Sequence, residues 1–277
     1  MTAYCLRLPY QAPFIIQTGS SWLASLLRLK YGRYLFPVSL SSSTAFGDVP
    51  AGGELITVAE EKGVFTVGFR GQSVETDDPL QEIDRLHFEN VVYDPRILAL
   101  HGAAVEHDGR AHLFLASTTS GKTTLAAFLT AAKGCGYITD DCILLMRDTF
   151  AVQPCGTPVH LREGGLEVLR RCSCEPEAPQ LLDTPTIRRY VYAPSHCIDE
   201  PVPLGAVYFI RRVDTPEQNA RISLSANEKM TRLLKSPITD YPLSPAYLRT
   251  VAALAGKPCC DLLYGDMEYV WEVMQNG

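Results

Sequence analysis

The chain has 277 residues, of which 46% are hydrophobic and 20% charged, and its formal net charge is −6. This is a globular composition with room for one large domain or two modest ones, and the lack of a Lys/Arg-rich run argues against a nucleic-acid partner. No apolar run reaches the roughly 18 residues of a membrane span, and the N-terminus lacks a signal-peptide pattern, so we expect a cytoplasmic protein without membrane contact.

The cysteines fit a reducing compartment. They number nine, an odd count, and the spacings of Cys172 and Cys174 and of Cys259 and Cys260 differ from the C-x-x-C pairs of zinc or redox motifs. We expect reduced thiols, several of them buried. The alternative is a metal or redox role, for which Cys172 and Cys174 are the candidate ligands.

Residues 1–90 read as an α+β region of unassigned role that is rich in β-structure. The pattern predicts a serine-capped amphipathic helix over residues 20–31 and a β-hairpin over 54–70. The polar stretch 71–84 is the candidate linker. One side of the helix is expected to carry Trp22, Leu23, Leu26, Leu27 and Tyr31.

Residues 97–116 form two apolar runs around Asp108-Gly109, which is a preferred two-residue hairpin turn. With that turn His107 faces Arg110, and His101 lies opposite Ala116. The register therefore predicts an imidazole at the start of the next motif, the alternative being a hydrogen-bonded histidine at a sheet end. His107 and His112 are expected on the surface of the hairpin.

The segment 113–134 has the features of a phosphate-binding loop. Such a loop follows a buried strand, turns tightly so that backbone N–H groups face the anion, and ends at a helix N-terminus. An apolar strand end precedes the small residues here, and periodicity predicts a helix over Lys122–Lys133 with Gly134 as its C-cap. The residues expected to bind nucleotide phosphates are Ser117, Thr118, Thr119, Ser120, Gly121, Lys122, Thr123 and Thr124.

Within this loop, Lys122 would reach the β- and γ-phosphates of ATP and the Thr123 hydroxyl would bind Mg²⁺. The pattern G-x-x-x-x-G-K-[ST] has Ala116 at its first glycine position. Alanine is the smallest substitute, so we expect tolerance. The alternative is a chance Gly-Lys-Thr sequence at a helix start.

The adjacent carboxylates Asp140 and Asp141 come directly before an apolar strand over residues 143–146. Two neighbouring carboxylates are electrostatically costly unless a cation or a proton separates their roles. A magnesium ion would stabilise one of them, and the other could accept the proton of an attacking hydroxyl. The alternative is an ordinary turn ahead of the strand.

The remaining chain combines an apolar strand over residues 204–210 with several helical patterns. Arg211 and Arg212 follow the strand, where a guanidinium could neutralise transition-state charge, and Arg188 and Arg189 are further candidates. The alternative for all four is a solvated surface position. Helices are predicted near residues 226–235, 245–256 and 266–275.

The run of His101-Gly102, a hairpin, S-G-K-T-T-L, an alanine-rich helix, a glycine, D-D and an apolar strand resembles the catalytic domain of HPr kinase/phosphorylase. That domain shares its site with phosphoenolpyruvate carboxykinase. The resemblance is specific over about residues 95–160 and weak to about 215. It implies an α/β fold with a mixed-sheet P-loop kinase core, here residues 91–277, that uses ATP and Mg²⁺.

By matching position, the resemblance implies that Lys122 holds phosphates and that Thr123 and Asp141 bind Mg²⁺. Asp140 would be the general base and His101 an active-site neighbour. Arg211 is a further candidate catalytic residue from its position at a strand end, not from the resemblance. HPr kinases form rings, so a homo-oligomer is an expectation from the resemblance alone.

A second family signature, an acidic residue within an R-G-L-G-like stretch, is not matched by the run H-L-R-E-G-G-L-E-V-L at residues 160–169. This departure argues against the phosphorolytic back reaction and against HPr as the substrate. The sequence is more similar to HPr-kinase-related proteins, some of which phosphorylate ribosomally made peptide precursors, including lasso-peptide precursors, on serine.

The leading hypothesis is an ATP- and Mg²⁺-dependent kinase for a hydroxyl, most naturally a serine of a peptide or small protein. A small-molecule kinase for a metabolite hydroxyl has the same chemistry. A nucleotide-binding peptide-recognition module with little turnover is the third reading, motivated by Ala116 and the unmatched second signature.

Overall fold

The computed structural model describes residues 2–8, 12–38, 53–92, 94–238 and 244–276. It is a mixed α/β structure with three β-sheets in these ranges. The predicted fold class is therefore confirmed at the level of α/β with mixed sheets.

The N-terminal sheet has the order β3-β1-β2-β4-β5-β6 within the described ranges, and it is antiparallel except between β2 and β4. Helices α1 and α2 bury Leu23, Leu27, Leu80 and Ile83 against this sheet. The bounds are β1 (Thr2–Leu6), β2 (Phe14–Thr18), α1 (Ser21–Tyr31), β3 (Leu35–Val38), β4 (Glu54–Glu61), β5 (Val64–Phe69), β6 (Gln72–Thr76) and α2 (Pro79–Val92).

Two N-terminal predictions are confirmed and two are wrong. The Ser20 side chain accepts a hydrogen bond from the Leu23 amide at the start of α1, and the 54–70 hairpin is β4 and β5. Trp22 does not face the core: it is 40% exposed and stacks on Phe65 at the helix edge. The candidate linker 71–84 is instead strand β6 and the first part of α2.

A third, small sheet has the order β12-β14-β13. Leu182 and Val191 of this sheet join the same hydrophobic cluster as the N-terminal helices. The division of the chain at residue 90 stays a prediction. The bounds are β12 (Val159–Leu161), α4 (Glu163–Arg171), β13 (Gln180–Asp183) and β14 (Arg188–Tyr192), with α3 (Lys122–Lys133) preceding them.

The central sheet has the order β11-β10-β7-β8-β15-β17-β16 in the described part of the chain, with β9 paired to β7. Its bounds are β7 (Ile97–His107), β8 (Arg110–Leu115), β9 (Gly136–Thr139), β10 (Cys142–Met146), β11 (Ala151–Gln153), β15 (Val202–Arg212), β16 (Ala220–Ser223) and β17 (Cys259–Tyr264), and the helices α5 (Ala226–Leu234), α6 (Pro245–Ala255) and α7 (Met267–Gln275) accompany it.

Helices cover both faces of the central sheet. Residues of α3, α4 and α7 pack on one face, and residues of α5 and α6 pack on the other. The predicted helix Lys122–Lys133 and its cap Gly134 are confirmed, as are the strand around 204–210 and the last three helices to within one residue.

Three neighbouring strands of this sheet, β8, β15 and β17, run parallel. Their carboxyl ends therefore meet at one edge of the sheet. The 117–121 loop follows β8 at that edge, Arg211 and Arg212 end β15, and Tyr264 ends β17. This edge carries the candidate site.

All nine cysteines are free, and Cys5, Cys135, Cys259 and Cys260 are buried. The expectation of reduced, partly buried thiols is thus confirmed. No group of three or more His, Cys, Asp or Glu side chains suited to a metal ion occurs among the described residues.

Candidate active site

The 117–121 loop connects the end of β8 to the start of α3. Its backbone is left-handed at Thr119 (φ 68°) and at Gly121 (φ 89°), and such alternation is typical of loops whose N–H groups form an anion-binding concavity. A Cβ at Gly121 would lie 2.7 Å from the Tyr264 hydroxyl, which donates a hydrogen bond to the Ser120 carbonyl at 3.0 Å. Both backbone angle and space therefore require glycine here.

Lys122 opens helix α3 and is buried, with 5% of its surface exposed. Its Nζ donates to the carbonyl oxygens of Ala116 (3.0 Å) and Ser117 (2.9 Å), at the beginning of the same loop. Burial lowers the pKa of this ammonium, and the charges of Asp140 and Asp141 offset that shift in part. Two neutral carbonyl oxygens of the loop thus hold the Lys122 ammonium in place.

Asp140 and Asp141 form the break between β9 and β10, both of which pair with β7. Both carboxylate oxygens of Asp140 are buried and accept no hydrogen bond of normal geometry. Burial and the charge of Asp141 together raise the pKa of Asp140 to about 7, and the Thr123 hydroxyl, the Asp141 backbone N–H and the charge of Lys122 oppose this shift only in part. Asp141 is exposed and has a left-handed φ of 60°.

His101 lies on β7 beside this break, opposite Cys142 of β10. Its Nδ1 is 3.2 Å from the Asp141 carbonyl oxygen, which can only accept, so Nδ1 carries the proton and Nε2 is left as an acceptor. Nε2 is buried without a partner. Burial and the charge of Lys122 lower the pKa of His101, which favours a neutral ring.

The predicted register of the β7–β8 hairpin is confirmed, because Gly102 pairs with Leu115 and His107 with Arg110. His101 and Ala116, the next pair outward, both line the cleft described below. His112 is not a surface residue: it is buried and stacks on Tyr208, because β8 is an interior strand flanked by β7 and β15.

An open cleft of about 1050 Å³ extends from the 117–121 loop across the carboxyl ends of β15 and β17 to the end of α5. Arg211 and Arg212 are exposed and line it. Arg188 and Arg189 belong to β14 of the small sheet, where Arg188 pairs with Asp183 at 3.5 Å, and they are not among the residues that line this cleft.

The structure therefore brings His101 and the start of the 117–121 loop together with Arg211 in one cleft, with the two aspartates beside His101. The Thr123 hydroxyl lowers the pKa of Asp140. The Thr124 hydroxyl lies against α4, where a Cβ at Gly165 would come within 2.7 Å of it. That glycine belongs to the 160–169 run, which forms β12 and the start of α4.

Sequence reasoning missed Arg232, Lys235 and Asp261, which line the same cleft, and Tyr264, which supports the loop. Arg232 lies on α5 and Lys235 is the C-cap residue of that helix, and both come more than a hundred residues after His101 in the chain. The α5 pattern is recognisable in the sequence, but no local signal places its end beside β7.

Solved structures include chains that are similar to this one. One of them is the structure of the Hpr(Ser) kinase/phosphatase from Coxiella burnetii, with a TM-score of 0.31 and 13% sequence identity over 64% of this chain and 88% of that chain. No family model matches the sequence, and neither does any curated protein. A likeness at this TM-score carries no functional argument, so the function is argued below from the site itself.

A search for helices of sufficient length and hydrophobicity to cross a bilayer finds none among the described residues.

Proposed function

We propose that this protein is a Mg·ATP-dependent phosphotransferase that moves the γ-phosphate to a hydroxyl, most naturally a serine of a peptide or small protein. The observation that carries the proposal is Asp140, a carboxylate with both oxygens buried and unpaired beside a lysine-bearing loop at a helix N-terminus. Among the described residues, Glu54 and Asp261 also bury one unpaired oxygen, but each binds an arginine through the other.

The loop suits a polyphosphate. Its left-handed Thr119 and Gly121 and the N-terminus of the twelve-residue α3 offer backbone donors and a positive dipole end to an anion. Lys122 would exchange its two carbonyl acceptors for phosphate oxygens, which form stronger, charge-assisted hydrogen bonds.

The oxygen groups next to the loop fit Mg²⁺, which prefers carboxylate, hydroxyl and phosphate ligands. Thr123 and Asp141 would hold the ion together with the phosphates, as the resemblance implies. When bound, Mg²⁺ neutralises the charge that develops on the transferred phosphoryl group.

Asp140 would then accept the proton of the acceptor hydroxyl. A pKa of about 7 suits a general base that works near neutral pH, and burial keeps water from competing for the carboxylate. His101, neutral and with an unpaired Nε2, would accept a hydrogen bond from the acceptor or orient it, and Arg211 would neutralise charge on the transferred group.

The test is calorimetric titration of Mg·ATP into the wild type, Lys122→Ala and the control Lys62→Ala, which changes an exposed lysine in the β4–β5 turn. We expect micromolar binding by the wild type and the control, weakened at least about tenfold (~1.4 kcal/mol) in Lys122→Ala. Equal binding by all three proteins, or by none, would contradict the nucleotide site. Asp140→Asn should retain binding and lose transfer of label from γ-labelled ATP to an acceptor.

A further inference from the structure

The cleft beyond the 117–121 loop is basic in a protein that is acidic overall. Arg211, Arg212, Arg232 and Lys235 line it with a single carboxylate, Asp261, whereas the chain carries a net charge of −6. Within the described part of the chain, Arg211, Arg212 and Lys235 form no ion pair. Uncompensated positive charge concentrated in a cleft raises the local concentration of anions.

Arg232 is held in a fixed position. Its Nη2 lies 2.5 Å from Asp261 Oδ2, and its guanidinium carbon lies 5.8 Å from the centre of the Phe209 ring. The side chain remains 43% exposed, so the remaining N–H groups can meet a ligand. A guanidinium anchored in this way loses little entropy when it binds a carboxylate.

Backbone pairing of the residues that follow Lys235 places it next to β7, the strand that carries His101. The residue after it, Ser236, accepts a hydrogen bond from the His101 amide at 2.8 Å, and Ile238 donates to the Ala99 carbonyl at 3.1 Å. The end of α5 is therefore fastened along β7 beside His101, and Arg232 and Lys235 line the same cleft as His101.

We infer that the acceptor is a peptide segment with acidic residues next to its serine, recognised by Arg232 and Lys235. This inference rests on the proposed function and specifies its substrate. Lys122, the loop amides and the helix N-terminus already serve the triphosphate, so the cations at the end of α5 are left for another anion. A cleft of about 1050 Å³ reaches the upper end of the range for small-molecule pockets and leaves space for a chain segment.

The test uses a fluorescent peptide with alanine at the acceptor position and glutamates on both sides, together with its glutamine counterpart. Fluorescence anisotropy in the presence of Mg·ADP measures binding without turnover. We expect the glutamate peptide to bind at least about tenfold more tightly at low salt, with the preference shrinking as salt screens the charges.

Lys235→Gln should weaken binding of the glutamate peptide about fivefold and Lys235→Glu more strongly, with a much smaller change for the glutamine peptide. Lys229→Gln is the matched control, because Lys229 lies on the same helix but does not line the cleft, and it should bind as the wild type does. Arg232→Gln gives an independent variant if a Lys235 variant misfolds.

Equal affinity for the two peptides would overturn the inference. So would a Lys235 variant that weakens Mg·ATP as much as the glutamate peptide, because the cations would then belong to the nucleotide. Competition by N-acetylglutamate as strong as that by unlabelled peptide would also refute it and indicate a small anionic acceptor. Equal Mg·ATP binding by the wild type and Lys122→Ala would contradict the proposed function alone, since the peptide titration is read separately.

Discussion

Asp140→Asn should stabilise the protein while removing the proposed transfer activity. The wild-type carboxylate is buried, neither of its oxygens accepts a hydrogen bond of normal geometry, and its pKa is raised from the ordinary value of 3.8 to about 7. A shift of about three units corresponds to roughly 4 kcal/mol of folding free energy lost above pH 7. The buried asparagine amide would itself lack partners, which costs about 1–3 kcal/mol. The expected net gain at pH 7.5 is therefore about 1–3 kcal/mol.

The sign of the pH dependence follows from the direction of the pKa shift. Because the folded-state pKa of Asp140 is raised, its unfavourable effect is absent below the unfolded-state pKa and complete above the folded-state pKa. The stability difference between Asp140→Asn and the wild type should consequently shrink as the pH falls from about 7.5 to about 5.

Thermal unfolding in EDTA, without nucleotide, measures this difference in the metal-free state. A gain of several degrees is expected at pH 7.5, since 1 kcal/mol corresponds to about 2–4 °C in a protein of this size. Asp214→Asn is the matched control, because Asp214 is an exposed carboxylate that is not part of this pair and should give no such gain. An Asp140→Asn melting temperature at or below that of wild type at both pH values would refute the assignment of a desolvated, unpaired carboxylate.

Two further predictions concern the support of the site. Gly102→Ala should destabilise the fold by about 1–3 kcal/mol in denaturant unfolding, because its Cβ would lie 2.7 Å from atoms of both neighbouring strands, including the Phe114 carbonyl oxygen. Gly19→Ala is the control, because a Cβ at Gly19 would have nothing within 4 Å. Tyr264→Phe removes the hydrogen bond to the Ser120 carbonyl and should raise the Kd for Mg·ATP about three- to tenfold by calorimetry, and an unchanged Kd would show that this contact does not set the loop.

The hairpin over 97–115 was predictable because its determinants are local. A two-residue turn fixes which residues pair, and the pairing then propagates along both strands without outside information. The same holds for α3, whose glycine at each end and apolar spacing lie within one segment. From these two elements follows the placement of His101 beside the loop.

The prediction of a linker over 71–84 was wrong because the polar composition of this stretch was read as a lack of secondary structure. Strand β6 is an edge strand that pairs only with β5, and the side chains on both of its faces are largely exposed. Its sequence therefore shows no alternation of apolar and polar residues. Helix α2 buries Leu80, Ile83 and Leu86 among charged residues, which hide the helical period in a polar stretch.

His112 was misplaced for a related reason. A hairpin by itself has a solvent face, and alternation along β8 puts His112 there. In the molecule β15 pairs with the free edge of β8 and helices cover both faces, so that position is interior. The partner strand begins nearly ninety residues later in the chain. The positions of Arg232 and Lys235 in the cleft could not be predicted either, because they depend on a non-local pairing of residues 236–238 with β7.

The electrostatics of the site argue for a ligand that carries both signs of charge. Lys122 and Asp140 act on each other's pKa, yet within the described residues they form no ion pair, and burial shifts both toward their neutral forms. An ion pair between Lys122 and Asp140 would offset the cost of burying both charges. Lys122 instead donates to two carbonyl oxygens of the loop, and the Asp140 oxygens accept no hydrogen bond of normal geometry. A polyanion at the loop would pair with Lys122, and a divalent cation beside the aspartates would remove the repulsion between the two carboxylates. A magnesium complex of a nucleoside triphosphate supplies an anion for Lys122 and a cation for the aspartates next to each other. An anion alone would pair only with Lys122, and a metal alone would meet only the carboxylates.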